Sequence, residues 1–153
     1  NKMKIAVFPG SFDPITIGHV NLIERALPLF DKIIIAIGNN SSKKYMFSLE
    51  KRREWIEKSF EEEKKIEVDI FEGLTVDYCQ SKNANYIIRG IRNSLDLEFE
   101  KSIAQANAKL NSNIETIFLL TAPEHSFISS SIVRDVILNN GDYQQFVPDF
   151  VLV

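Results

Sequence analysis

Lys4-Ile5-Ala6-Val7-Phe8-Pro9-Gly10-Ser11-Phe12-Asp13-Pro14-Ile15-Thr16-Ile17-Gly18-His19 is the stretch that decides how this chain is read. Lys4 to Phe8 is a short apolar run, which predicts a buried strand. Pro9-Gly10 ends it, and a turn rich in Ser, Asp and Pro follows. Thr16 or a neighbour can then cap a helix. Val20, Ile23, Ala26, Leu27 and Phe30 share one face of a helix predicted over His19–Phe30, with Pro28 fraying or kinking its last turn.

The same order of strand, turn and helix recurs. Lys32 to Ile37 is a second strand, rich in β-branched residues and stopped by Gly38-Asn39-Asn40. Ser48 is an N-cap, with Glu50 in the first turn, for a charged helix reaching about Lys64. Further strands are predicted over Ile66–Phe71, Tyr86–Arg89 (broken by Gly90) and Thr116–Leu120. Helices are predicted over Leu74–Ser81, Asp96–Leu110 and from Ser129 or Ser130 to about Leu138, where Asn139-Asn140-Gly141 stops the helix. A last helix starts near Gln144. Five alternations predict an α/β fold: a Rossmann-like, doubly wound, five-stranded parallel sheet with helices on both faces. Ligands of such folds collect at the loops following the strands.

At 153 residues the chain has the length of one domain. Hydrophobic residues are 44% and charged residues 25%, enough for a core and against disorder. The net charge of −3 argues against a nucleic-acid partner, which calls for a basic surface. Any phosphate must be met by a few placed cations. One cysteine, Cys79, excludes an intramolecular disulfide and a Cys-rich zinc site. No apolar run reaches the ~20 residues of a membrane span. The apolar run from Ile5 is too short for a signal peptide, so a reducing, cytoplasmic setting is expected. Asn1 and Lys2, ahead of Met3, read as remnants of cloning or processing. The N-x-S patterns at Asn39 and Asn40 read as chance in a chain without a secretory signal.

Four stretches carry candidate chemistry. In the first loop, Gly10 allows a close turn, Ser11 offers a hydroxyl and an amide, and His19 sits at a helix N-terminus, where free amides favour an anion. This is neither the Walker pattern nor G-x-G-x-x-G. Ser42-Lys43-Lys44 follows the second strand; it is either a solvated pair of lysines or one lysine reaching phosphate. Arg89-Gly90-Ile91-Arg92 places two arginines at a strand end, where a guanidinium can hold phosphate oxygens in pairs. His125 to Ser131 opens a helix with three hydroxyls, and Arg134 lies one turn in.

Gly-Ser-Phe-Asp-Pro, Thr16-x-Gly18-His19 and Ile128-Ser129-Ser130-Ser131 with Arg134 resemble the nucleotidyltransferase superfamily with the T/H-x-G-H motif. Ser42 to Phe47, Ile88 to Arg92 and Asp96-x-Glu98-Phe99-Glu100 resemble, in matching order over nearly the whole chain, the phosphopantetheine adenylyltransferases of bacterial coenzyme A synthesis. The resemblance implies transfer of AMP from ATP to 4′-phosphopantetheine, giving dephospho-coenzyme A and pyrophosphate. It implies ATP contacts from Ser11, Phe12, His19, Gly90, Ile91, Arg92, Glu100 and from His125, Ser126, Phe127, Ile128, Ser129, Ser130 and Ser131. It implies contacts to the acceptor from Ser11, Lys43, Leu74, Thr75, Arg89 and Asn107, and a catalytic group of His19, Lys43, Arg92 and Ser11. Thr75 stands where some relatives carry Met, and His125 where an aromatic such as Trp can occur. The resemblance also implies a homohexamer built as a dimer of trimers, coenzyme A as a feedback ligand, and a C-terminal helix that is short here.

The residues themselves offer no paired nucleophile, since Cys79 lies in a predicted helix and no Ser has an evident base. Direct in-line attack by the acceptor phosphate is the simpler route. The protein's task is then positioning and charge neutralisation, with His19 as a hydrogen-bond donor. Mg²⁺ is expected with ATP, held mainly by phosphates and water, with no protein metal site. Asp13 reads first as a turn residue. Three other readings stand: a sibling transferase acting on nicotinamide mononucleotide or with CTP, a non-catalytic nucleotide sensor, and a structural domain.

Overall fold

The computed structural model describes residues 2–153, so Asn1 lies outside the described residues. Five strands form one parallel sheet: β1 (Ile5–Gly10), β2 (Lys32–Gly38), β3 (Ile66–Phe71), β4 (Tyr86–Ile91) and β5 (Glu115–Leu120), ordered β3-β2-β1-β4-β5. Between them run α1 (Ile17–Ala26), α2 (Leu49–Ser59), α3 (Thr75–Ser81) and α4 (Ser94–Leu110), and α5 (Ser130–Leu138) follows β5. The chain winds outward from β1 to β3, then returns past β1 to β4. That reversal puts the switch point between β1 and β4, where such sheets bind ligands.

Alternation along the strands separates two cores. Ala6 and Phe8 of β1 and Ile33, Ile35 and Ile37 of β2 pack with Leu22 and Ile23 of α1, Trp55 and Ile56 of α2 and Val133 of α5. Val7, Ile34 and Ala36 face the other side, with Val76 and Cys79 of α3. The α4 helix packs beside α3, β4 and β5. Because both faces are covered, the central strands read as continuous apolar runs.

The crevice has a local cause. The β1 strand pairs with β2 along six residues, but with β4 only at Ala6–Tyr86 and Val7–Ile87. Beyond these the strands part. Gly90, on β4, has no side chain because a Cβ there would stand 2.4 Å from Leu22 Cδ1; the glycine lets α1 lie close against the sheet.

Several boundaries differ from the sequence reading. The β1 and β4 strands continue through Pro9-Gly10 and Gly90-Ile91, so Arg89 projects from a strand and not from the loop beyond it. The α2 helix ends at Ser59 and not near Lys64, and Glu61, Glu62 and Glu63 lie in the following turns. The reason is Phe60: it leaves the helical region at φ −129° and buries its ring in the core. Leu27-Pro28-Leu29 forms a 3₁₀ turn after α1. The helix expected from Gln144 is one 3₁₀ turn, Gln144–Phe146; Val147 and Val151 then anchor the segment in the core as non-helical chain.

Phe60→Ala should destabilise the fold by about 3–5 kcal/mol, the cost of a large core truncation. Urea unfolding followed by circular dichroism measures this directly.

Candidate functional site

Two cavities open at the carboxyl ends of β1 and β4. The larger, about 660 Å³, lies toward β2 and β3 and is walled by Lys43, Tyr45, Thr75, Ile103 and Asn107 among others. The smaller, about 270 Å³, lies toward α1 and α5 and includes Phe12, His19, Arg92, Thr121 and Ser129. Pro9, Gly10, Ser11, Arg89 and Glu100 line both. The two cavities therefore share a wall at the switch point.

The Arg89 side chain spans that wall. Its Nε and Nη2 donate to the two carboxylate oxygens of Glu100 at 2.7 and 2.9 Å, and its Nη1 donates to the Pro9 carbonyl at 2.7 Å. The Pro9 bond lies across the gap where β1 and β4 part. Three of five guanidinium donors are thus committed, leaving one N–H on each terminal nitrogen for an anion. Glu100 is the buried residue of α4, so a charge-assisted pair anchors that helix to the sheet. Arg92 is likewise braced: its Nε donates to Asp96 Oδ2 at 3.1 Å, and its backbone amide to the same oxygen at 2.9 Å.

His19 is fixed by the start of α1. Thr16 is the N-cap, and its hydroxyl accepts from the His19 amide. In return the Thr16 amide donates to His19 Nδ1 at 3.0 Å. This is a capping box with histidine in place of the usual Glu or Gln. An amide donates only to an unprotonated nitrogen, so Nδ1 is the acceptor and the neutral ring carries its proton on Nε2. Burial, then the positive charges of Arg89 and Arg92, lower the His19 pKa from 6.5 to about 4. His19 is accordingly a neutral donor at physiological pH.

The loop between β1 and α1 is held from both sides. Asp13, only 3% exposed, accepts from the Met46 and Phe47 amides at 2.8 and 2.9 Å. Asp13 is therefore more than a turn residue: it ties the first loop to the loop before α2. Arg134 Nη1 donates to the Asp13 carbonyl at 2.8 Å, and Ser130 Oγ to the Pro14 carbonyl at 2.8 Å. Arg134 braces the loop and lines neither cavity.

The other expected residues divide plainly. Ser11, Lys43, Thr75, Arg89 and Asn107 meet in the larger cavity, while Leu74 is exposed and lines neither. Phe12, His19, Gly90, Arg92, Ile128, Ser129 and Ser130 meet in the smaller one. The Phe12 ring is buried against His19, so its backbone is the part a ligand could reach. Ile91, His125, Ser126, Phe127 and Ser131 stand outside the cavity walls. His125 remains close, its Cβ 3.9 Å from where a Gly18 Cβ would be, and its Nδ1 is buried without a partner. Arg52, which holds the first loop from behind the cavities, and Tyr45 and Asp96, which line them, are not among the residues expected from the sequence. A signal existed for the first: Arg52 falls at i of the i, i+3, i+4 face completed by Trp55 and Ile56. Cys79 is buried in α3, where burial pushes its thiol up to about 11. Among the described residues no three metal-ligating side chains converge, and no helix is long and apolar enough to cross a membrane.

Residues 7–136 match the cytidylyltransferase-like family model. Phosphopantetheine adenylyltransferases from Flavobacterium johnsoniae and Carboxydothermus hydrogenoformans are 58% and 50% identical to this chain, over 99% and 97% of it and 99% and 92% of their own lengths. Among solved structures, a bifunctional NMN adenylyltransferase/ADP ribose pyrophosphatase from Francisella tularensis superposes with a TM-score of 0.72 at 20% identity, covering 95% of this chain and 45% of that one.

Titration of His19 gives a test of the site's electrostatics. Its ring should stay neutral, with the proton on Nε2, from pH 8 to 5 and protonate near 4. The unfolded chain takes up that proton near 6.5, so between 6.5 and 4 the unfolded state binds more protons. His19 therefore destabilises the fold as pH falls through that window, and its effect is absent above it. Nitrogen-detected NMR of the imidazole reads both the tautomer and the midpoint.

Proposed function

Because the chain belongs to the phosphopantetheine adenylyltransferases, within the cytidylyltransferase-like family, enzymes of coenzyme A biosynthesis, we propose that its two cavities are the two substrate sites of that reaction. The larger would take 4′-phosphopantetheine and the smaller ATP. The observation that carries this is the shared wall of Gly10, Ser11, Arg89 and Glu100. Two phosphates entering from opposite sides would meet there.

A phosphate oxygen of the acceptor would attack the α-phosphorus of ATP in line. A new P–O–P bridge forms as the bond from the α-phosphorus to the oxygen bridging to the β-phosphorus breaks, and pyrophosphate leaves with that electron pair. The acceptor is already an anion, so no base is required. The barrier to be met is repulsion between anions and the charge that builds up on the transferring group. Lys43 and the two free N–H groups of Arg89 would hold the acceptor phosphate. His19 Nε2–H, Arg92 and the amides opening α5 at Ser129–Ser131 would face the nucleotide phosphates. Ser11 stands at the junction and can serve either. The depressed His19 pKa supports a donor role and not that of a base.

The residues present fit a Mg²⁺ that arrives on ATP and not one caged by protein. Glu100 and Asp96, the carboxylates beside the smaller cavity, are each already paired with an arginine. The ion would supply charge neutralisation to the phosphates, with water and phosphate oxygens as its other ligands. Coenzyme A carries the same pantetheine arm and would compete for the larger cavity as a feedback ligand. A cytoplasmic location accords with this pathway.

Assembly into a homohexamer, a dimer of trimers, is part of the proposal. Its support here is α4, which turns Leu95 and Phe99, one turn apart on the same face, to solvent, 81% and 67% exposed. An apolar face of this kind on one helix suits contact between copies. Phe99→Asp should shift the protein to smaller species in analytical ultracentrifugation.

A coupled assay for pyrophosphate release, run with phosphopantetheine, nicotinamide mononucleotide and phosphocholine as acceptors, tests the activity. Release with phosphopantetheine alone is expected. His19→Ala should lower kcat by ~10²-fold or more, the worth of one donor to developing charge, with ATP affinity changed far less. Lys43→Ala should raise the KM for the acceptor; a rise in the KM for ATP alone would reverse the assignment of the cavities.

A further inference from the structure

The bulkiest of the fully buried side chains carries a charge. Arg52, on α2, is 2% exposed. Its Nε donates to the Phe47 carbonyl at 3.1 Å and its Nη1 to the Ser11 carbonyl at 2.9 Å. Its guanidinium carbon stands 4.0 Å from the centre of the Tyr45 ring, in cation–π contact. Burial lowers its pKa, and the charge of the buried Asp13 offsets that only in part.

Tyr45 carries the connection onward. Its hydroxyl donates to the Gly38 carbonyl at 3.3 Å and accepts from the Asn40 amide at 3.2 Å. Lys43 Nζ lies 5.8 Å from the centre of the same ring. Gly38, Asn40, Lys43 and Tyr45 all belong to the larger cavity. A run of contacts therefore leads from a buried cation, through an aromatic ring, to the segment that carries Lys43.

Burying a guanidinium is costly even when it is paired, and an apolar side chain of like volume is often as stable or more so. An apolar side chain could not hold the carbonyls of two separate loops at a set spacing while bearing on a ring in one of them. We propose that Arg52 is a positioning residue for the acceptor phosphate: by fixing Ser11, Phe47 and Tyr45 relative to one another, it sets the distance between Ser11 and Lys43. Arg52 lines neither cavity, so it would act through the groups it holds. The inference rests on the larger cavity being the acceptor site. The nucleotide side has separate supports, namely the Thr16–His19 capping box and the bonds from Ser130 and Arg134 to the first loop. Ser11 itself borders both cavities, but Phe47, Tyr45 and Lys43 lie on the acceptor side, so loss of Arg52 should act mainly on the acceptor.

Steady-state kinetics of Arg52→Met, Arg52→Lys and Tyr45→Ala, with each substrate varied in turn, test this. Arg52→Met should raise the acceptor KM by about tenfold or more and lower kcat, since small misplacements of reacting groups are expensive. The KM for ATP should stay within about twofold, as it should for a change that removes acceptor interactions only. Arg52→Lys keeps the charge but not the fork, and should recover part of the loss. Tyr45→Ala should move the same parameter in the same direction. Equal rises in both KM values in Arg52→Met would overturn the proposal, since a merely structural residue would act on both sites. Should Arg52→Met fail to fold, an unchanged acceptor KM in both Arg52→Lys and Tyr45→Ala would overturn it equally. A wild-type enzyme that releases no pyrophosphate with phosphopantetheine would instead overturn the acceptor assignment, and the proposal with it.

Discussion

The bridge made by Arg89 is the constraint on which the rest of the site depends. The crevice exists because β1 and β4 pair at only two positions and then separate. Parting strands leave backbone groups without ladder partners, and buried groups of that kind must be satisfied. Arg89 satisfies the Pro9 carbonyl and, with its other edge, holds Glu100 of α4. The same guanidinium thus closes the gap, anchors a helix and places positive charge between the two cavities. That charge is also a cause of the low His19 pKa. Strand register, helix docking and the protonation of the donor meet in one side chain.

Charge in the site is organised mainly before any ligand arrives. Arg89 pairs with Glu100, Arg92 with Asp96, and Arg134 lies at the edge of ion-pair range from Asp13. Each pair costs attraction for an anion, because the guanidinium is already partly neutralised. In exchange its remaining donors point in a fixed direction, so less ordering is required when phosphate binds. Lys43 is different. It is exposed, and among the described residues it has no carboxylate within ion-pair distance. A chain with a net charge of −3 can thus accommodate polyanions through oriented donors without a broad positive field.

The fold was legible because its signals are local and repeated. Val7, Ile34 and Ala36 against Ala6, Phe8, Ile33 and Ile35 alternate between two covered faces, and the resulting apolar runs mark central strands. Thr16, Ser48 and Ser129 cap helices where hydroxyls precede apolar periodicity. Boundaries failed where tertiary packing outweighed propensity. Nothing local in Glu61-Glu62-Glu63 forbids helix; the burial of Phe60 ended α2 first. Gly90 looked like a stop but lies inside β4, because its missing side chain serves Leu22 of α1 and not a turn.

The site was legible as a set of motifs, but not as a set of pairings. That Arg89, Arg92 and His19 cluster follows from the places of the arginines at the end of β4 and of His19 at the start of the helix that follows β1. That Arg89 is bound by Glu100, and Arg92 by Asp96, depends on how α4 crosses β4, and a single sequence does not carry that angle. Arg52 was missed for a related reason. An arginine on a charged helix reads as solvated, and only its coincidence with the Trp55–Ile56 face hinted at burial. Its burial has a consequence for how the two cavities relate. Asp13 receives the Met46 and Phe47 amides from the segment before α2, and its own carbonyl receives Arg134 from α5. With Arg52 of α2 also donating to the Ser11 carbonyl, the first loop is held by α2 and the segment before it on one flank and by α5 on the other. Motion of either flank would be felt at Ser11, one of the residues that both cavities share.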